Sequence, residues 1–165
     1  MRKQIISFKN AFSGVWAVIK SESHMRFHMV AAFYVILFSF FYSFSAAQWA
    51  ILLTLIGLVT ALEILNTCIE ELCNLYADRY EPLVKLIKDA AAGAVLVISV
   101  AAAAVAVIFF WNIDVILSIF SFFAGNIVLL ILLAVSAVVS AVFVWLGPVG
   151  IKKVVSVLRR RFHKK

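Results

Sequence analysis

Charge is the scarcest property of this sequence. Only 14% of its 165 residues are charged, whereas 65% are hydrophobic, and the mean hydropathy is +1.10. Three long stretches, 27–62, 90–113 and 115–150, contain no charged residue. A soluble domain is about 45–50% apolar and about 25% charged, and a chain this short cannot bury such an excess of apolar surface. The composition therefore excludes a soluble enzyme, a secreted domain and a disordered tail, and predicts a single-domain, all-α integral membrane protein.

The usual nucleotide-binding and hydrolase motifs are also missing. The sequence has no Gly-x-x-x-x-Gly-Lys-Ser/Thr loop, no Gly-x-Gly-x-x-Gly turn, no protein-kinase His-Arg-Asp or Asp-Phe-Gly motif and no Gly-x-Ser-x-Gly elbow. The histidines, His24, His28 and His163, have no zinc-ligand spacing. Cys68 and Cys73 are predicted to be reduced packing residues. A soluble-type nucleotide fold is therefore excluded.

The apolar stretches predict four membrane-spanning helices. Lys and Arg are confined to residues 2–26, 63–89 and 152–165. Four crossings place all three basic segments on one side, which the positive-inside rule makes cytoplasmic. Three crossings would leave the strongly basic tail outside. The predicted spans are 29–46, 49–65, 90–111 and 127–145, with outer turns at 47–48 and 112–114.

Both ends of the chain are predicted to meet the membrane surface. Residues 1–28 have the pattern of one amphipathic helix. Because this helix has a basic face and an aromatic stripe, we expect it to lie among the lipid headgroups. Residues 113–126 are either re-entrant or interfacial. Gly147 and Pro148 are expected to break the helix before the basic tail 152–165, for which anionic lipid is the expected partner and nucleic acid is not. The stripe of the first helix comprises Ile5, Phe8, Phe12, Val15, Trp16 and Ile19.

The third predicted span is rich in small residues. Alanine and glycine fill 90–94, and alanine fills 101–104. Small residues let helices approach closely in a membrane, so this span is expected to be the central packing element.

A polar stripe continues from the second span. At about 100° per residue, Glu63, Asn66, Glu70 and Asn74 fall on one face of a helix, while Glu71 turns aside. Carboxylates at membrane depth are costly, and they indicate a functional site unless they are neutralised. The structural alternative is that Glu63 and Glu70 are protonated or pair with nearby cations, for which Lys85, Lys88 and Arg26 are available.

Further polar residues precede the first and third spans. Glu22 lies before the first span, and Lys88 and Asp89 lie directly before the small-residue span. Folding the spans side by side brings these residues to the same cytoplasmic surface as Glu63 and Glu70. Carboxylate oxygens suit Mg²⁺, a lysine suits phosphate, and a carboxylate at the interface can act as general base towards a lipid hydroxyl.

Four segments of the sequence together resemble the prokaryotic diacylglycerol kinase family, which includes the undecaprenol kinases of Gram-positive bacteria. The two most specific segments are EILNTCIE at 63–70 and KDAAAGAVL at 88–96. The other two, FKNAFSG at 8–14 and ESHMRFH at 22–28, resemble the family's surface helix and the entry to its first span. The resemblance covers about residues 5–111.

The resemblance implies a homotrimer of three-span subunits that transfers the γ-phosphate of MgATP to a lipid hydroxyl. It implies Glu63 as the catalytic base and Glu22 and Glu70 as the Mg²⁺ ligands. Asn66, Lys88 and Asp89 would lie on the nucleotide side. It also implies a bacterial inner-membrane protein with a cytoplasmic active site and a role in lipid carrier or phospholipid recycling; undecaprenol and diacylglycerol both remain candidate acceptors.

The sequence departs from the family pattern at three places. Asn74 stands where the family has Asp, Cys68 replaces a usual Ala, and residues 112–165 add a fourth span and a basic tail beyond the kinase domain of 1–111. An alternative is therefore a catalytically inactive family member that serves as a membrane scaffold. A third hypothesis, a small transporter, is disfavoured because the charges cluster at one interface rather than at midplane.

Overall fold

The computed structural model describes residues 2–76 and 81–162, and these form six α-helices and no strand. Three helices are long and apolar enough to cross a membrane: Ala46–Leu75, Pro82–Phe110 and Ile127–Ser156. The prediction of an all-α integral membrane protein is thereby confirmed. The helices are α1 (Arg2–Ser21), α2 (Ser23–Ser39), α3 (Ala46–Tyr76), α4 (Pro82–Phe110), α5 (Ile113–Gly125) and α6 (Ile127–Phe162).

Helices α3 and α4 form the most extensive helix pair. Pro82 occupies the first turn of α4, where its missing N–H leaves no helical hydrogen bond unmade. Leu52 and Val59 of α3 and Val95 of α4 are buried. Within this chain α4 packs mainly against α3, and most residues of its small-residue segments are exposed, so the predicted central role of this span stays a prediction.

The first predicted helix is in fact two helices. Helix α1 ends at Ser21, and Glu22 is extended (φ −101°, ψ 124°) before α2 begins at Ser23. The Ser21 hydroxyl bonds back to the carbonyls of Ala17 and Val18 at 3.3 Å, which closes the last turn of α1. The expectation of one helix over 1–28 was therefore wrong at its C-terminal end. The aromatic part of its stripe is exposed, as a membrane-surface helix requires.

The first predicted span, 29–46, corresponds to a shorter helix. Helix α2 stops at Ser39 after 17 residues, about 25 Å, whereas the hydrocarbon core is about 30 Å thick. Helix α3 begins early because Ser45 and Gln48 form a capping box: Gln48 Oε1 accepts from Ser45 N at 2.9 Å, and Ser45 Oγ accepts from Gln48 N at 3.3 Å. The predicted turn at 47–48 is thus part of α3, and residues 40–45 make the connection instead. A membrane crossing by α2 stays a prediction.

The segment after residue 111 folds back onto the rest of the chain. Asn112 caps α5, which has 13 residues and is too short to cross a bilayer. Helix α6 packs against α2 and α1, and Tyr34 Oη lies 2.9 Å from Ser136 Oγ. The expected break is a kink at Gly147, after which α6 continues to Phe162. The end of the basic tail, 163–165, lies outside the described residues.

Candidate active site

The polar stripe lies on one continuous helix, as predicted. Because α3 runs unbroken from residue 46 to 76, Glu63, Asn66 and Glu70 recur on the same face. Glu63 is only 4% exposed, and Asn66 and Glu70 are half-buried. Glu71 is exposed, in agreement with its predicted position aside from the stripe. The stripe therefore runs from a buried carboxyl at Glu63 through half-buried Asn66 and Glu70 to an exposed Asn74.

Three charged or titratable groups act on the Glu63 carboxyl. They belong to His24, Glu22 and Glu70, and helices α1 and α2 both contact α3. Glu22 is half-buried in the extended link between the two helices. That Glu22, Glu63 and Glu70 form one site stays a prediction. Sequence reasoning missed His24, although its position two residues after Glu22, in the same link region, was a usable signal.

Asn66 presents an open acceptor beside these carboxylates. Its Oδ1 atom is buried and has no hydrogen-bond partner within the part of the chain that the structure describes. Buried polar atoms are nearly always hydrogen-bonded, so an unpaired one marks a position where a ligand or a water completes the site.

Lys88 reaches the stripe from α4. Its Nζ donates a hydrogen bond to Asn74 Oδ1 at 2.9 Å. Asp89, the next residue on α4, is exposed. Arg26 donates its hydrogen bonds to backbone carbonyls instead of carboxylates. Two of the three candidate cations thus have hydrogen-bond partners other than Glu63 and Glu70, which disfavours pairing with Arg26 or Lys88 and does not bear on protonation of the carboxyls.

The carboxylate and amide side chains at this site suit a metal ion that binds together with a phosphate ligand better than one coordinated by protein side chains alone. Within residues 2–76 and 81–162, no group of three His, Cys, Asp or Glu side chains could hold a metal ion. Mg²⁺ is commonly bound by one or two carboxylates, with phosphate oxygens and waters completing its octahedron. The two predicted ligands, Glu22 and Glu70, together with the unpaired Oδ1 of Asn66, are side chains of the type that such a Mg²⁺ site uses.

An apolar cavity of about 250 Å³ lies between α2, α3 and α4, within the membrane-spanning part of the fold. Val59 and Thr60 line it, and they lie one helical turn before Glu63 on the same helix. Ser99 also lines it, and its hydroxyl oxygen is buried without a partner among the described residues. The cavity can accept hydrocarbon close to the buried carboxylate.

Comparisons with known proteins agree with this arrangement. The undecaprenol kinase of Bacillus subtilis is 39% identical over 104 residues, which cover 63% of this chain and 85% of that protein. A diacylglycerol kinase of Synechocystis is 34% identical over 99 residues, 59% of this chain and 57% of the relative. Residues 9–110 match the family described as prokaryotic diacylglycerol kinase. This match covers more than half of the sequence and includes every predicted site residue, so the chain belongs to the prokaryotic diacylglycerol kinase family.

Proposed function

We propose that this protein is a membrane lipid kinase that transfers the γ-phosphate of ATP to a lipid hydroxyl, with undecaprenol or diacylglycerol as acceptor. The observation that carries the proposal is the buried Glu63 carboxyl, grouped with Glu22 and Glu70 and one turn from an apolar cavity. The names of the two relatives support it, since one is an undecaprenol kinase and the other a diacylglycerol kinase.

Glu63 is the proposed catalytic base. Its carboxylate would accept the proton of the lipid hydroxyl as that oxygen attacks the γ-phosphorus and ADP leaves with the bridging oxygen, while the hydrocarbon of the lipid occupies the cavity beside Val59 and Thr60. A general base contributes about 10²- to 10⁴-fold to a rate, and the rest of phosphoryl transfer depends on positioning and charge neutralisation.

The other predicted residues would handle the nucleotide. Glu22 and Glu70 would hold Mg²⁺, which when bound neutralises charge on the phosphates. Lys88 would present its ammonium to the transferring phosphoryl group, and Asn66 and Asp89 would contact the nucleotide side. None of these residues needs a glycine-rich loop, which accords with the absence of one from the sequence.

The proposed assembly is a homotrimer in a bacterial inner membrane, with the site and both termini on the cytoplasmic side. Its support is the family resemblance together with the surface of α4 that this chain leaves exposed, where large apolar side chains lie beside small ones. Small residues at exposed helix faces favour association with further helices. Within such a membrane the reaction would recycle either an isoprenoid lipid carrier or a phospholipid precursor.

The direct test is phosphorylation by the purified full chain in mixed micelles. Undecaprenol and diacylglycerol are offered in parallel with labelled ATP and Mg²⁺, and label in the lipid phase is measured. We expect label in at least one lipid, and a preference identifies the recycling route. A folded protein that labels neither lipid would contradict the proposal and favour the scaffold alternative.

A further inference from the structure

Arg26 is a buried cation bound entirely by backbone carbonyls. Only 5% of its surface is exposed. Its Nη1 donates to Ile19 O at 3.0 Å and Lys20 O at 3.1 Å, and its Nε donates to Val144 O at 3.0 Å. A buried charge is costly unless it is hydrogen-bonded, so these three contacts define what Arg26 does in the fold. They join α1 to α6 through one guanidinium.

The carbonyls that Arg26 binds are those that helix geometry leaves open. Ile19 and Lys20 lie in the last turn of α1, whose carbonyls have no intrahelical donor. Val144 lies four residues before Pro148, which has no N–H to donate to it. The guanidinium therefore lies at the C-terminal ends of two helical segments, where the helix dipoles also favour positive charge.

The kink in α6 is shaped around the guanidinium. Gly147 has φ +61°, a conformation that side chains disfavour, and a Cβ built there would lie 2.9 Å from both Cζ and Nη1 of Arg26. In contrast, a Cβ on Gly125 would meet no described atom within 4 Å. Only glycine fits at 147 while Arg26 holds its position.

The same junction carries Glu22. Along the chain, Glu22 lies between Arg26 and the two residues of α1, Ile19 and Lys20, whose carbonyls Arg26 binds. Beneath it, Ile19 and Met25 form a buried cluster that includes Phe143 of α6. Both the hydrogen bonds and the apolar contacts of α6 therefore converge on the link that holds a proposed Mg²⁺ ligand.

We propose that Arg26 is a positioning residue through which the C-terminal segment, which lies beyond the family match of 9–110, fixes Glu22 in the metal site. This inference rests on the proposed lipid kinase function. Segment 113–162 would therefore act on the metal site of its own chain. The Gly147–Pro148 kink packs against Arg26, and the guanidinium then holds the end of α1 and the start of α2 at a fixed separation.

The test compares Gly147→Ala with Gly125→Ala in the full-length protein. Gly147→Ala displaces the guanidinium, so we expect the Mg²⁺ concentration for half-maximal turnover to rise by about fivefold or more, with kcat at saturating Mg²⁺ within about twofold of wild type. Gly125→Ala, in the same C-terminal segment, should match wild type in both. Pro148→Ala supplies an N–H for Val144 O without adding a Cβ near Arg26; it should shift the Mg²⁺ dependence in the same direction by a smaller factor.

Hydrogen–deuterium exchange over residues 18–26 gives a readout that needs no turnover. We expect faster exchange there in Gly147→Ala and wild-type exchange in Gly125→Ala. A folded Gly147→Ala protein with unchanged Mg²⁺ dependence, or with a loss confined to kcat, would overturn the positioning role. Wild-type protein that phosphorylates neither lipid would instead overturn the proposed function, and the exchange comparison would then decide the docking contact by itself.

Discussion

Lys88 and Asn74 join the two central helices at the proposed nucleotide side of the site. The ammonium of Lys88 donates to the amide oxygen of Asn74 at 2.9 Å. The family resemblance implies Asp at position 74. The amide supplies the acceptor that a carboxylate would supply, so this departure keeps the contact between α3 and α4.

Replacing Asn74 with Ala is expected to weaken ATP binding. Without the acceptor, Lys88 loses its fixed position, and we expect the KM for ATP to rise about three- to tenfold, which corresponds to about 0.7–1.4 kcal/mol, the net worth of one ordinary solvent-exposed hydrogen bond. The global stability should change by less than about 1 kcal/mol because the pair is exposed. Asn74→Asp keeps an acceptor and should remain near wild type. Steady-state kinetics of the two variants test this, and a wild-type KM in Asn74→Ala would contradict it.

Glu70 and Glu71 provide a matched pair for the metal site. Glu70→Gln removes a proposed Mg²⁺ ligand and should abolish Mg²⁺-dependent turnover, while the protein remains folded. Glu71→Gln makes the same substitution at the next residue, which is exposed and lies beside the stripe, and this variant should retain activity. Turnover against Mg²⁺ concentration, with circular dichroism as the folding control, distinguishes the two. Near wild-type activity in Glu70→Gln would refute the ligand assignment.

The sequence predicted the shared helix face of the candidate site because its determinants are local. One uninterrupted helix places Glu63, Asn66 and Glu70 on one face, so helical periodicity alone brings them together. Glu22 required the further inference that charged segments converge on one membrane side. The hydrogen bonds of Arg26 were missed because they depend on tertiary contacts that no local pattern encodes, whereas His24 was missed despite its position two residues after Glu22.

The wrong predictions about the fold concern helix ends, because short-range hydrogen bonds determine where a helix begins and ends. Hydropathy extended the first span to residue 46, because residues 40–44 are as apolar as the helix before them. The S-x-x-Q pattern at Ser45 and Gln48 carried the correct start of α3 and was overlooked. The separation of α1 from α2 at Glu22 had no comparable sequence signal, since Glu22 forms no side-chain cap.

The capping box gives a stability prediction. Ser45→Ala removes a cap that accepts from Gln48 N and should lower the free energy of unfolding by about 1 kcal/mol. Ser43→Ala, a serine in the same connection outside the capping box, is the control and should change stability by less than about 0.5 kcal/mol. Denaturant unfolding in detergent micelles measures both. Equal effects from the two substitutions would count against the capping role.

Filling the apolar cavity is expected to raise the KM for the lipid and to leave the KM for ATP unchanged. Ala102 lines it, and Ala102→Leu would occupy space proposed for the acceptor's hydrocarbon. Each excluded CH₂ is worth about 0.8 kcal/mol, so we expect the KM for the lipid to rise about tenfold or more. The KM for ATP in the same variant serves as the internal control and should stay unchanged. A parallel rise in both constants would argue against the cavity as the acceptor site.

The most direct test of the central claim is the transfer of labelled γ-phosphate to lipid by wild type and by Glu63→Gln, measured side by side over a range of ATP concentrations at saturating Mg²⁺. Glutamine keeps the shape of the buried side chain and removes its basicity, so we predict that kcat falls about 10²- to 10⁴-fold while the KM for ATP is retained. Transfer by Glu63→Gln at the wild-type rate would contradict the account, because the buried carboxylate would then have no part in the reaction.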